Sequence, residues 1–109
     1  VSRSDTQRCN DIVAACEAIT AHLQRGDLTD GLVFDAVRAR LMEIGEAVKS
    51  IDPTVLANEP DIPWVDIAAM RNHLAHRYFD TAPAIVHATI DSDLPPMRVA
   101  VTRIRNTPA

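Results

Sequence analysis

Apolar residues recur along most of this chain at intervals of three and four, and no stretch alternates as a strand would. The first run comprises Cys9, Ile12, Val13, Cys16, Ile19 and Leu23, the spacing of one helix face. Ser4 followed by Gln7 reads as a capping box that opens this helix, and Gly26 ends it. After a turn over residues 26–30, the pattern predicts a second helix from about Gly31 to Ser50. Val33, Val37, Leu41, Ile44 and Val48 form its core stripe, and Asp52-Pro53 stops it. Residues 52–62 read as loop with one helical turn around Val55-Leu56-Ala57. Pro63 and Trp64 begin a third long element with Trp64, Ile67, Leu74 and Tyr78 along one side. Asp80-Thr81 caps a last helix with Pro83 in its first turn and Val86, Ile90, Met97, Val101 and Ile104 inward. Pro95-Pro96 is expected to kink or interrupt that helix. The prediction is all-α, a four- to five-helix bundle in a single domain over residues 1–109.

Composition sharpens this picture. The chain is 47% hydrophobic and only 4% aromatic, so the core must be built from Ala, Val, Ile and Leu, which suits closely packed helices. Leu32, Phe34 and Met42 extend the second helix's apolar surface beyond one stripe. That surplus predicts a buried partner face, most simply in a homodimer; the plainer alternative is a wider core. Cys9 and Cys16 are seven apart, which places them on one face but roughly 10 Å apart along the axis. That is too far for a disulfide, so both read as small buried hydrophobes. No signal peptide and no apolar run of transmembrane length is seen, so the expectation is a cytoplasmic protein without membrane contact. The formal net charge is -4, so any contact with nucleic acid must come from a local cluster of arginines.

Such a cluster exists. Met70-Arg71-Asn72-His73-Leu74-Ala75-His76-Arg77-Tyr78-Phe79-Asp80 gathers arginines, histidines, an asparagine and a tyrosine within a few turns. Asn72 and His76 share a helix face, whereas Arg71 and His76 are five apart and diverge by about 140°. They can line one crevice if the helix frays near His76, or if two copies meet. Metal-free RNA cleavage needs a base for the 2′-OH, an acid for the leaving 5′-oxygen and positive charge on the phosphate. Histidine suits the first two tasks and arginine the third. Plainer roles fit the same residues: a helix-surface histidine, Arg71 paired with Glu43 or Glu46, Tyr78 as an amphipathic core residue. His73 and His76 form an H-x-x-H pair, but no third ligand is suggested nearby, so no metal site is assigned.

The stretch resembles the HEPN signature, an arginine, a polar residue, three further positions and a histidine, here Arg71, Asn72 and His76. Extension to Arg-x4-His-x-Tyr through Tyr78 looks like the HepT branch, toxins paired with MntA-type minimal nucleotidyltransferases. Met42-Glu43-Ile44-Gly45-Glu46-Ala47-Val48-Lys49, Ala69-Met70-Arg71-Asn72 and Tyr78-Phe79-Asp80 also look like that branch. The resemblance implies a helical bundle that dimerises with both motif copies facing one cleft, and RNA cleavage without metal or cofactor. It implies Arg71 and His76 as the catalytic pair, Asn72 as polar assistant, and Tyr78 as the residue to which the nucleotidyltransferase antitoxin transfers AMP. His73 and Arg77 are possible substrate contacts. The late Arg98, Arg103 and Arg105 could help bind RNA, or form a solvated face or antitoxin contacts. HEPN domains also include non-catalytic members, so the alternative is a module that binds a nucleotide or a nucleotidyltransferase partner.

Overall fold

A computed structural model describes residues 1–76 and 83–108, with His76 described by its backbone alone. Its helices are α1 (Arg3–Leu23), α2 (Gly31–Ser50), the short α3 (Pro53–Leu56), α4 (Trp64–His76), α5 (Pro83–Ala88) and α6 (Leu94–Asn106). A π-helical turn over Thr89–Asp93 joins α5 to α6. No strand occurs among the described residues, and none of their helices is long and apolar enough to cross a membrane. Arg77, Tyr78 and the predicted cap at Asp80-Thr81 lie outside the described residues.

Local chemistry sets the helix ends. Asp30 caps α2 by accepting hydrogen bonds from the Leu32 and Val33 amides at 2.9 and 3.3 Å. Asp52 caps α3 through the Thr54 amide and hydroxyl, which hold its carboxyl below the usual carboxylate range. The first helix begins earlier than Ser4: Ser2 is the extended cap residue, and its hydroxyl accepts from the Asp5 amide at 3.0 Å. Ser4 is already inside the helix, and Gln7 donates to Asp11 one turn on rather than reaching back to a cap. Asp5 is buried and accepts from the Asp52 amide at 3.4 Å, tying the start of α1 to the turn before α3.

The prolines at 95 and 96 do interrupt the last helix, by a specific route. Proline lacks an N–H and is tolerated in a helix's first turn, where no partner is needed. The chain widens into a π turn just before them, with the Leu94 amide bonded to the Thr89 carbonyl, and α6 restarts with both prolines in its first turn.

α1 packs against α2 on one side and α6 on the other, and α4 packs on α2. The core between them holds Ile12 and Ile19 of α1, Val37, Leu41, Ile44 and Val48 of α2, and Met97 and Val101 of α6. Cys9 and Cys16 are free and buried, as expected, and burial pushes the Cys16 thiol up to about 11. The anticipated surplus on α2 resolves differently. Phe34 belongs to the core and Met42 packs against it, leaving only Leu32 of the three strongly exposed, at 84%. The core is widened there, because α2 lies between α1 and α4 and needs apolar residues on two flanks.

Candidate active site

Helix α4 is anchored at its start by the Trp64 indole, which donates to the Glu59 carbonyl at 3.0 Å. Ile67 and Leu74, seven apart, are buried and fix the rotation of α4 about its axis. Arg71 lies between them on the flank towards α2, and Asn72 points outward.

Gly45 of α2 stands opposite. A Cβ there would sit 3.0 Å from the Arg71 Cβ, 3.0 Å from the Ile67 carbonyl oxygen and 3.1 Å from the Arg71 nitrogen. The two backbones therefore approach most tightly beside Arg71, and only a residue without a side chain fits between them. The next residue along α2 is Glu46, whose Oε2 lies 3.5 Å from Arg71 Nε. Arg71 Nη1 also donates to Asn72 Oδ1 at 3.0 Å. Arg71 and Glu46 stay half exposed, at 45% and 59% of their side-chain surface, so the guanidinium is held yet open to solvent. Glu46 also lines a groove of about 650 Å³ between α1 and α2, with Arg8, Arg40 and Glu43 over an alanine floor.

About two turns before Gly45, the half-buried Arg38 donates through Nη1 to the Leu74 carbonyl at 3.4 Å. α2 thus sets two points on α4: Arg71 through Gly45 and Glu46, and the Leu74 carbonyl through Arg38.

The structure brings together Arg71, Asn72 and Glu46. It does not bring His73 to them. His73 lies two residues from Arg71, about 200° round the helix, and lines a separate groove of about 420 Å³ with Asp66, Met70, Ile85, Thr89 and Asp93. The side chain of His76, and Arg77 and Tyr78 entirely, fall outside the described residues. α4 stays α-helical through His76. Among the described residues, no group of three or more His, Cys, Asp or Glu side chains is arranged to hold a metal ion.

The late arginines are engaged elsewhere. Arg98 pairs with Glu17 at 2.9 Å, Arg103 with Glu59, and Arg105 donates to Asn10 at 3.4 Å. These contacts tie α6 to α1 and to the loop before α4, away from Arg71. Of the site's supports, Glu46 was visible as a possible partner of Arg71, but Arg38 and the role of Gly45 were not. Their one sequence signal is a seven-residue spacing on α2, which puts both on the flank that meets α4.

Comparison with known proteins bears on this arrangement. A protein of Thermococcus cleftensis named "Probable ribonuclease HepT" is 31% identical over 110 residues, covering 96% of this chain and 99% of its own. A protein of Caldanaerobacter subterraneus subsp. tengcongensis named as a candidate RNase is 32% identical over 98 residues, covering 85% of this chain and 87% of its own. The comparison with solved structures found no match. Residues 9–104, which span α4 and the helices that support it, match the family described as "HepT-like: Ribonuclease HepT-like". With the Arg-Asn-x3-His stretch on the helix that Gly45 and Glu46 support, the chain belongs to the HepT-like ribonuclease family.

Proposed function

We propose that this protein is a metal-independent endoribonuclease acting through Arg71, His76 and Asn72, and the toxin of a toxin–antitoxin pair. The observation that carries the reading is the Arg71 guanidinium, oriented by Glu46 and Asn72 and left open to solvent five residues before His76 on the same helix. A phosphate oxygen is the natural occupant of such a fork.

In this reading His76 takes the proton from a ribose 2′-OH, and the 2′-oxygen attacks the adjacent phosphorus. The bond to the 5′-oxygen breaks, that oxygen takes a proton from a His76 imidazolium, and a 2′,3′-cyclic phosphate remains. Arg71 stabilises the negative charge that builds on the non-bridging oxygens. Because Arg71 and His76 diverge by about 140° on a regular helix, the second group reaching the phosphate comes from another copy of the chain, in a homodimer whose motif helices share a cleft. DNA lacks the 2′-OH and is spared. Purified protein incubated with labelled RNA in EDTA should therefore cut it and leave 2′,3′-cyclic phosphate or 3′-phosphate ends. An intact, unmodified dimer that cuts no RNA would instead favour a module that binds a nucleotide or a nucleotidyltransferase.

Tyr78 is the proposed point of control. Its hydroxyl attacks the α-phosphorus of ATP held by a nucleotidyltransferase antitoxin, pyrophosphate leaves, and the tyrosine carries AMP. An anionic group on Tyr78, two residues beyond His76, repels RNA phosphate and fills the cleft. Incubation with such a partner and ATP should add mass in AMP units and silence cleavage, and Tyr78→Phe should abolish the addition. Undiminished modification of Tyr78→Phe would move the site elsewhere.

A further inference from the structure

We propose that Glu46 is a positioning residue for Arg71, one that sets which edge of the guanidinium meets the RNA phosphate; this rests on the ribonuclease reading above.

A guanidinium carries five N–H donors in a fixed plane, one on Nε and two on each terminal nitrogen. Glu46 Oε2 stands against Nε at 3.5 Å, and Asn72 Oδ1 accepts from Nη1 at 3.0 Å. Among the described residues, no acceptor engages either hydrogen of Nη2. One of them lies at the far end of the fork, the edge that engages phosphate oxygens. Glu46 and Asn72 thus stand against Nε and Nη1 and leave Nη2 for substrate.

Other ion pairs on the surface differ in what they connect. Arg40–Glu43 and Arg8–Asp11 are three apart on their own helices, while Arg98–Glu17 and Arg103–Glu59 secure α6. Glu46–Arg71 bridges α2 and α4 directly beside Gly45, where a side chain on α2 would collide with the Arg71 backbone. The close approach plants the Arg71 backbone, and the carboxylate on the adjoining residue then fixes its long side chain. A pair exposed to this degree adds little to stability, so stability does not account for its placement at the motif arginine. Orientation is the larger effect, because an unrestrained arginine side chain samples many rotamers.

The carboxylate has a second consequence. Lying beside Arg71, it offsets part of the positive charge that attracts RNA. Removing it therefore strengthens binding of the substrate ground state while weakening the aligned transition state. KM and kcat/KM then fall together, a pattern that simple loss of folded protein does not produce.

The test is steady-state cleavage of a defined single-stranded RNA by the full chain as wild type, Glu46→Gln, Glu46→Asp and Arg71→Ala, with urea unfolding of each. Glu46→Gln is expected to lower kcat about tenfold through loss of alignment and to lower KM about twofold at low salt, with its unfolding midpoint near wild type. Glu46→Asp keeps the charge on a shorter arm, so KM should return to the wild-type value while kcat recovers only in part. A wild-type kcat in Glu46→Gln, alongside an inactive Arg71→Ala, would overturn the positioning role and leave the ribonuclease reading standing. So would a fall in kcat that merely follows the folded fraction. Wild-type cleavage by Arg71→Ala would instead overturn the reading of the site itself.

Discussion

Alanine at Arg71 is expected to lower RNA cleavage by about 10²–10³, the loss typical of removing one donor to the charge of a transition state. Alanine at His76 should cost about 10²–10⁴ by removing the group proposed to move the proton. The double variant should be little worse than the poorer single one, because groups that act on one step fail together. The structure makes Arg71 the more informative of the two. Its side chain is about half exposed and its partner Glu46 more so, so losing the ion pair should destabilise the fold by less than about 1 kcal/mol. A large fall in rate with little change in the urea midpoint would separate chemistry from folding. Arg71→Lys keeps the charge but not the planar fork, and its long arm cannot engage Glu46, Asn72 and a phosphate together. It should remain at least about tenfold below wild type. If Arg71→Ala unfolds far more readily and its remaining activity follows the folded fraction, Arg71 is a structural residue and the site lies elsewhere.

Gly45→Ala should be destabilising, against the usual trend for a helix interior, where the exchange gains up to about 1 kcal/mol. The reason is what the new methyl meets. Each of its three nearest neighbours, at 3.0 to 3.1 Å, belongs to the α4 backbone or to the first side-chain atom of Arg71, and none is a flexible tip able to swing away. α4 must move off α2 by a few tenths of an ångström, and overpacking of this kind costs about 1–3 kcal/mol. A net loss of about 1–2 kcal/mol is expected once the propensity gain is subtracted. Because the displaced segment carries Arg71, cleavage should fall by about tenfold beyond what the folded fraction explains. Gly31→Ala supplies the internal control. A Cβ at that position meets nothing within 4 Å, so the variant should be as stable as wild type or slightly more so, with unchanged cleavage. Equal behaviour of the two variants would mean that the close approach at Gly45 has no part in placing the arginine.

Helix by helix, the periodic pattern anticipated much of the fold. α2 spans Gly31–Ser50 as expected, all five stripe residues from Val33 to Val48 are buried, and the turn at Pro53–Leu56 is helical. Disagreement arises where two local signals compete. Ser2 and Ser4 both offer a hydroxyl, and only the backbone decides that Ser2 stays extended while Ser4 enters the helix. The proline pair announced a break, but the π turn ahead of it depends on keeping Val86, Met97 and Val101 in the core on both sides of the interruption. Phe34 looked like surplus from α2 alone, because one stripe cannot reveal that two neighbours flank the helix.

The candidate site divides along the same line. By itself the sequence determined the helical class, the extent of α2, the fate of both cysteines and the order Arg71, Asn72, His76 along one helix. These depend on spacing within a few turns, where 3.6-residue periodicity and capping chemistry operate. Only the tertiary structure decided that Gly45 lets α4 come close at Arg71, that Glu46 rather than Glu43 meets its guanidinium, that Arg38 reaches the Leu74 carbonyl, and that His73 faces another groove. The first three join residues more than twenty positions apart through distances of 3.0 to 3.5 Å. Such distances follow from how far each helix is turned and shifted against its neighbour, and that is settled by the packing of the whole core.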